Sequence, residues 1–150
     1  MPDLITLDTF KALSGLPLPD DVHTWTWERA ARHSLRKWEL ISDLYDADRF
    51  DDKTYKIIRV AYMSASSCAL CLHTEDEDGY IDCTLCPLQK AGYGCDVDES
   101  PWFMAKNHHS YRPVVHALRQ AVVQAQLLDH PSLAAATPSV TELLTKEGAD

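Results

Sequence analysis

The sequence predicts a mainly α-helical fold in which two long helices flank a cysteine-rich, loop-rich segment. Two stretches, 23–47 and 110–128, carry apolar residues at helical spacing, and all five cysteines of the 150 residues lie between them, from Cys68 to Cys95. Apolar residues that recur every three or four positions form one face of a helix. We therefore expect a mainly α protein, with a small α+β arrangement as the alternative.

The length of the chain predicts a single domain over residues 1–150. Its 45% hydrophobic content is ordinary for a globular protein, so a core of normal size is expected. Residues 1–20 are predicted to form an N-terminal extension, in which a short strand leads into one or two helical turns. Gly15 is the expected stop of those turns.

The first long helix is predicted over residues 23–47. Its apolar stripe includes two indoles, which favours core packing over a ligand-binding role. The charged residues of this helix, Lys37 among them, fall largely off that stripe. Residues 54–63 fit either a strand or a helix, and their β-branched and aromatic content favours a strand. The stripe consists of Trp27, Ala31, Leu35, Trp38, Ile41 and Tyr45.

The second long helix is predicted over residues 110–128, with Pro113 in its first turn. A short last helix is predicted over residues 138–147. The apolar stripe of this second helix contains small alanines, which allow the two long helices to approach closely. We therefore expect the helices to pack antiparallel or steeply crossed, with Trp27 and Trp38 of the first helix facing that stripe. That stripe consists of Val114, Leu118, Ala121, Ala125 and Leu128.

The cysteine spacing predicts a zinc site in the segment 68–95. Two C-x-x-C pairs are separated by eleven residues, and each such turn brings two sulfurs within reach of one ion. Five thiols exceed the four places of a tetrahedron, so one of them replaces another or stays free. We predict one Zn²⁺ per chain, with the ligands drawn from Cys68, Cys71, Cys83, Cys86 and Cys95.

Other interpretations of the cysteine pattern have less support from the sequence. An iron–sulfur cluster is the main rival, but the C-x₂-C-x₂-C run of ferredoxin motifs is missing. Disulfides are disfavoured because the count is odd and the N-terminus lacks the basic region of a signal peptide, which predicts a cytoplasmic protein with reduced thiols. His73 is a further candidate ligand. Sites rich in thiolate are closed and structural more often than catalytic.

The net charge of −9 is concentrated in one part of the chain. Residues 39–99 hold fourteen Asp or Glu against five Lys or Arg, whereas the remainder holds nine of each. Such a surface disfavours nucleic-acid phosphate and favours a basic protein partner, although an acidic loop that only aids solubility is the simpler interpretation of residues 75–78. No apolar run approaches membrane length.

The cysteine motif resembles that of small proteins encoded by bacteriophages and prophages, with the pattern C-x-L-C … C-x-x-C-P … G-x-x-C … [ST]-P-[YW]. The resemblance extends over about residues 27–128, and the chain departs from it by a longer acidic insert at 72–82 and by its terminal extensions. It implies a phage-encoded, metal-binding protein of the host cytoplasm, without implying an activity. The matching residues are Cys68, Cys71, Cys83, Cys86, Pro87, Gly92, Cys95, Ser100, Pro101 and Trp102.

Three functions are compatible with these observations. The first is a zinc-stabilised protein that binds a protein partner without catalysis, for example as an inhibitor of a host or defence protein. The second is a nucleic-acid-associated protein with zinc-ribbon-like spacing, against which the acidity of the chain counts. The third is an enzyme with an unrecognised site, for instance one built on His108 and His109, although no known catalytic motif is present.

Overall fold

Helices form every regular element of the residues that the structure describes. This computed structural model describes residues 3–63, 68–75, 78, 85–93 and 101–130. The prediction of a mainly α protein is confirmed. The elements are α1 (Leu7–Ser14), a 3₁₀ turn (Val22–Thr24), α2 (Trp27–Asp46), α3 (Asp52–Tyr62), α4 (Ala69–Thr74), α5 (Pro87–Lys90), α6 (Pro101–His108) and α7 (Arg112–Asp129).

The two long helices, α2 and α7, pack antiparallel and form the most extensive helix pair. The Asp129 carboxylate at the end of α7 accepts hydrogen bonds from the backbone N–H groups of Trp27 and Glu28, each at 2.8 Å. At the other end of the pair, Arg112 forms an ion pair with Asp46 at 3.0 Å. These contacts confirm the antiparallel alternative of the predicted packing.

The facing stripes of α2 and α7 form the centre of the core. Trp38 and Ile41 of α2 and Leu118 and Ala121 of α7 are all buried, as the apolar spacing predicted. Tyr45, which the stripe also included, is 40% exposed. The predicted stripes therefore identify part of the core contact between the two helices: on α2, Trp27 is only half-buried and packs on His73, whereas Lys37, off the stripe, is buried.

The start of α2 differs from the prediction, which placed it at residue 23. A 3₁₀ turn occupies residues 22–24, and the helix begins only after Thr26, whose side chain accepts a hydrogen bond from Arg29 N. A threonine oxygen at this position satisfies a backbone donor that the helix leaves unpaired.

The N-terminal segment is part of the packed structure. Gly15 ends α1 in the left-handed conformation, with φ of 69°, as expected of a helix stop. Phe10 is completely buried and contacts the rings of Phe50 and Tyr62. The strand predicted before α1 is wrong, because residues 3–6 have no regular structure.

Residues 54–63 form a helix, so the preference for a strand was wrong. Asp51 caps α3 by accepting a hydrogen bond from Thr54 N at 2.6 Å. The buried residues of α3, Thr54 and Ile58, are four positions apart. An acidic cap and one apolar face at helical spacing outweigh the β propensity of the individual residues.

The segment 68–95 is less loop-like than predicted, because it contains α4 and α5. Helix α6 was not predicted at all, although Pro101 is well suited to a first helical position. The predicted helix 138–147 lies outside the described residues. None of the described helices combines the length and the apolar character needed to span a membrane.

Candidate metal centre

The first cysteine pair lies at the start of α4. Cys68 immediately precedes the helix and is buried, whereas Cys71 stands in its first turn and is half-buried. Ala69 and Leu70 are completely buried and hold α4 against α2 and against the 3₁₀ turn at residues 22–24. The C-x-x-C turn is thus anchored by two apolar residues between its cysteines.

The Cys68 sulfur lies among groups that stabilise a thiolate. Hydrogen bonding from the Cys71 thiol, the Lys37 charge and the Cys71 backbone N–H hold the pKa of Cys68 well below its usual range, against the opposing effect of burial. Ser34 Oγ lies 3.7 Å from the same sulfur. Since the thiolate is the form of cysteine that binds a metal, these contacts favour a metal ligand at this position.

Lys37 was placed off the apolar stripe of α2 and is instead 1% exposed. Burial lowers the pKa of its ammonium group, and the Cys68 and Cys71 sulfurs oppose that change. The Nζ atom also lies 5.2 Å from the centre of the Trp38 ring. A buried cation is costly unless a negative group compensates it, and the Cys68 thiolate, which the Cys71 thiol stabilises, is a suitable compensating group.

The second cysteine pair is described in part. Cys86 is the residue before α5 and is half-buried, and α5 packs on α7 with Leu88 in the core. Cys83 and Cys95 lie outside the described residues. Cys68 and Cys86 therefore take equivalent places, each directly before a short helix that packs on one of the two long helices.

The described residues do not by themselves complete a metal site. Within them, no three His, Cys, Asp or Glu side chains come together as a group that can hold an ion. The donor chemistry of Cys68 and Cys71 nevertheless fits Zn²⁺, which binds thiolates in structural sites. The full ligand set, drawn from all five cysteines, remains a prediction.

His73, the other candidate ligand, is engaged elsewhere. Its Nε2 donates a hydrogen bond to the Trp25 carbonyl oxygen at 2.7 Å, and its ring packs on Trp27 with the centroids 4.0 Å apart. Its buried Nδ1 has no hydrogen-bond partner among the described residues. The Nε2 atom and the ring face fasten α4 to the start of α2, and Nδ1 is the ring nitrogen that these contacts leave unused.

The two histidines proposed for a catalytic site are not equivalent. His108 is exposed at the end of α6. His109 has a left-handed backbone, with φ of 51°, and its Nδ1 lies 2.5 Å from the Tyr55 hydroxyl, which also hydrogen-bonds the Tyr111 hydroxyl. The His109 ring also stacks on Tyr45 of α2 and packs against Tyr55 of α3, so the two neighbouring histidines have different surroundings.

Sequence reasoning missed Ser34 and Lys37 as neighbours of the cysteines. The available signal was their spacing, since positions 34 and 37 lie one turn apart on a common face of α2. That face lies beside the predicted stripe, so the pattern alone assigned Lys37 to solvent.

Comparison of the chain with models of known protein families, with curated proteins and with solved structures found no match.

Proposed function

We propose that this chain is a zinc-stabilised helical protein that acts by binding a protein partner, without catalysis. The observation that carries the metal assignment is the Cys68 and Cys71 pair at the start of α4, with the buried Lys37 beside it. Zinc would be held by four of the five cysteines, and when bound it would supply a cross-link between the segments that carry them.

The protein positions the thiols of Cys68 and Cys71 and stabilises the thiolate form that binds a metal. Helix α4 presents two sulfurs on one turn, Ser34 and the Cys71 N–H stabilise the first of them, and Lys37 offsets part of the negative charge. Four thiolates on Zn²⁺ carry a formal charge of −2, which one buried ammonium reduces to −1. This arrangement favours a closed structural site over an open catalytic one.

Binding of a partner is supported by the surface of the described residues. Leu4, Val60 and Leu85 are large apolar side chains at 55%, 76% and 48% exposure. Exposed apolar side chains indicate interaction sites when they form patches; among these three, Val60 lies beside Met63 and Trp102 at one groove. The resemblance to bacteriophage proteins makes inhibition of a host protein one form that this function would take.

Two measurements test the proposal. Mass spectrometry of metals on protein purified without chelator should find one zinc per chain, and iron in its place would overturn the zinc assignment. Immobilised protein should then retain a partner from a lysate, and an excess of free protein should compete that partner off. A retained nucleic acid, sensitive to nuclease and to salt, would overturn the protein-binding function.

The acidic residues 75–78 allow the charge of the partner to be tested separately. If they engage a basic partner, replacing all four with Ser should slow association and flatten its dependence on salt, with little change in the melting temperature. An unchanged association rate would assign this segment to solubility only.

A further inference from the structure

A groove outside the candidate metal centre, whose described cysteines are Cys68, Cys71 and Cys86, lies between α3 and α6. It is half open to solvent and has a volume of about 600 Å³, similar to that of pockets that bury apolar ligand groups. Its apolar surface is formed by Trp38, Met63, Trp102 and Ala105. The Trp38 and Trp102 rings meet edge to face with their centroids 6.4 Å apart, so the aromatic floor is built by the core of the protein.

Three cations surround this apolar floor. Lys56 and Arg59 of α3 and Lys106 of α6 line the groove, and no carboxylate is among the described residues that line it. Arg59 is held in place, because its guanidinium donates a hydrogen bond to the Lys106 carbonyl oxygen at 2.7 Å and lies 5.8 Å from the centre of the Tyr55 ring. Lys56 and Lys106 are exposed and form no ion pair within the described part of the chain.

The charge of this region is opposite to that of the protein as a whole. The chain has a net charge of −9, yet the described residues that line the groove include three cations, Lys56, Arg59 and Lys106, and no Asp or Glu. Val60, on the α3 side of the groove, is 76% exposed. An apolar floor, an exposed valine and a cationic rim thus occur together on one face.

We propose that this groove binds an acidic amphipathic segment of a partner protein. Large apolar side chains of the segment would enter between α3 and α6 and cover Val60, while flanking Asp or Glu side chains would pair with Lys56 and Lys106. Laying the apolar face of a helix into such a groove is a common mode of peptide recognition. The inference rests on the proposed function only in that the partner is a protein.

The shape of the floor favours a peptide over single-stranded nucleic acid. Bases bind such surfaces by stacking on exposed aromatic faces. Trp38 is only 2% exposed, and its ring is covered by Trp102 and Tyr111. The accessible part of the floor is formed by the half-buried Trp102 and Met63, with the exposed aliphatic Val60 beside them. A floor of this composition matches leucine or phenylalanine side chains.

The test is a selection of random 16-residue peptides displayed on yeast against the zinc-loaded full-length protein. Enriched peptides should carry large apolar residues flanked by Asp or Glu. Lys56→Glu and Lys106→Glu should each weaken the binding of such a peptide about fivefold or more at physiological salt, because like charges then face each other. Val60→Asp should weaken it similarly, whereas Lys53→Glu, on α3 but outside the groove, should change it less than about twofold.

Several results would overturn the inference. The first is a selection in which the wild-type protein enriches acidic amphipathic peptides no more than a Lys56→Glu/Lys106→Glu double variant does. The second is enrichment of basic peptides by the wild-type protein. Binding of a 16-nucleotide oligo-dT that the same variants abolish would assign the groove to nucleic acid. A dimer in sedimentation experiments that Val60→Asp dissociates would assign it to a second copy. Zinc content, measured on every variant, separates failure of this inference from failure of the metal assignment.

Discussion

At the scale of single residues, Lys37 connects the cysteine centre with the helix pair. It lies on α2, one position before the core residue Trp38, and its ammonium group is buried within electrostatic range of Cys68 and Cys71. A lysine in such a place is costly in the absence of negative charge. Its role is therefore best tested by comparing the protein with and without metal.

Lys37→Met should lower zinc affinity by about 10–100-fold, the range found when groups that support metal ligands are removed. The apo protein should be no less stable than the wild type, because methionine replaces a buried charge with an apolar chain of similar length. Competition with a chromogenic chelator measures the first effect and thermal melting of the apo protein the second. Lys53→Met, at an exposed position, is the control. Unchanged zinc affinity in Lys37→Met would contradict the proposal that Lys37 compensates the charge of the thiolates.

Cys71→Ser should behave as a folding mutation. It removes a predicted ligand and also the thiol that hydrogen-bonds Cys68. We expect a lower melting temperature and aggregation, not a folded protein that has lost only its activity. Cys95→Ser should be milder if Cys95 is the spare thiol, and equally severe if it is the fourth ligand. Melting of both variants with and without added zinc decides between these cases, and a Cys71→Ser protein that melts like the wild type and keeps its zinc would refute the metal centre.

At the scale of elements, the start of α2 has unusually complete hydrogen bonding. The first backbone N–H groups of a helix have no partner within the helix. Thr26 Oγ1 accepts from Arg29 N at 3.1 Å, and the Asp129 carboxylate accepts from Trp27 N and Glu28 N. The negative charge also complements the positive end of the helix dipole. One residue at the end of α7 thus connects that end directly to the first turn of α2.

Asp129→Asn should destabilise the protein by about 1–2 kcal/mol, because the amide loses the charge and one of the two acceptor oxygens. The corresponding fall in melting temperature is about 3–6 °C. Asp46→Asn is the matched control at the opposite end of the helix pair, since its ion pair with Arg112 is exposed and worth at most about 1 kcal/mol. Equal effects of the two substitutions would show that Asp129 acts only as a surface charge.

The shorter helices show where local patterns are insufficient. Val60 and Ile57 gave residues 54–63 the composition of a strand, yet both are on the exposed side of α3, where their β propensity has little influence. In α6, the apolar residues do not form a single stripe, and its alignment comes from packing on α7. Propensity is a weak guide wherever tertiary contacts select the conformation.

At the scale of the whole molecule, the metal and the helical core are expected to share the stability of the fold. Structural zinc contributes an apparent ~10–16 kcal/mol in zinc-finger peptides, and a domain of this size has a net stability of only ~5–15 kcal/mol. The contribution of the proposed zinc would therefore be comparable with the whole margin of stability. The buried contact between α2 and α7 nevertheless indicates that helical structure persists without the ion.

Removal of zinc with a strong chelator should lower the melting temperature sharply and broaden the transition, while much of the helical circular dichroism remains at low temperature. Added zinc should restore the cooperative transition, whereas Mg²⁺, which prefers oxygen ligands, should not. Calorimetry and circular dichroism on the same samples provide the measurement. Identical melting curves before and after chelation, with zinc shown to be absent, would contradict a structural role for the metal.

The sequence alone determined the two long helices and the pairing of Cys68 with Cys71 in one C-x-x-C turn. Both depend on short-range regularities: apolar residues every three or four positions define a helix face, and two intervening residues bring two sulfurs together. Only the tertiary structure decided that Lys37 is buried and that Lys56 and Lys106 share one groove. These facts depend on which elements pack together, because residues fifty positions apart become neighbours only through the packed core. For the same reason a stretch that is acidic along the chain, residues 39–99, contributes cations to a basic surface.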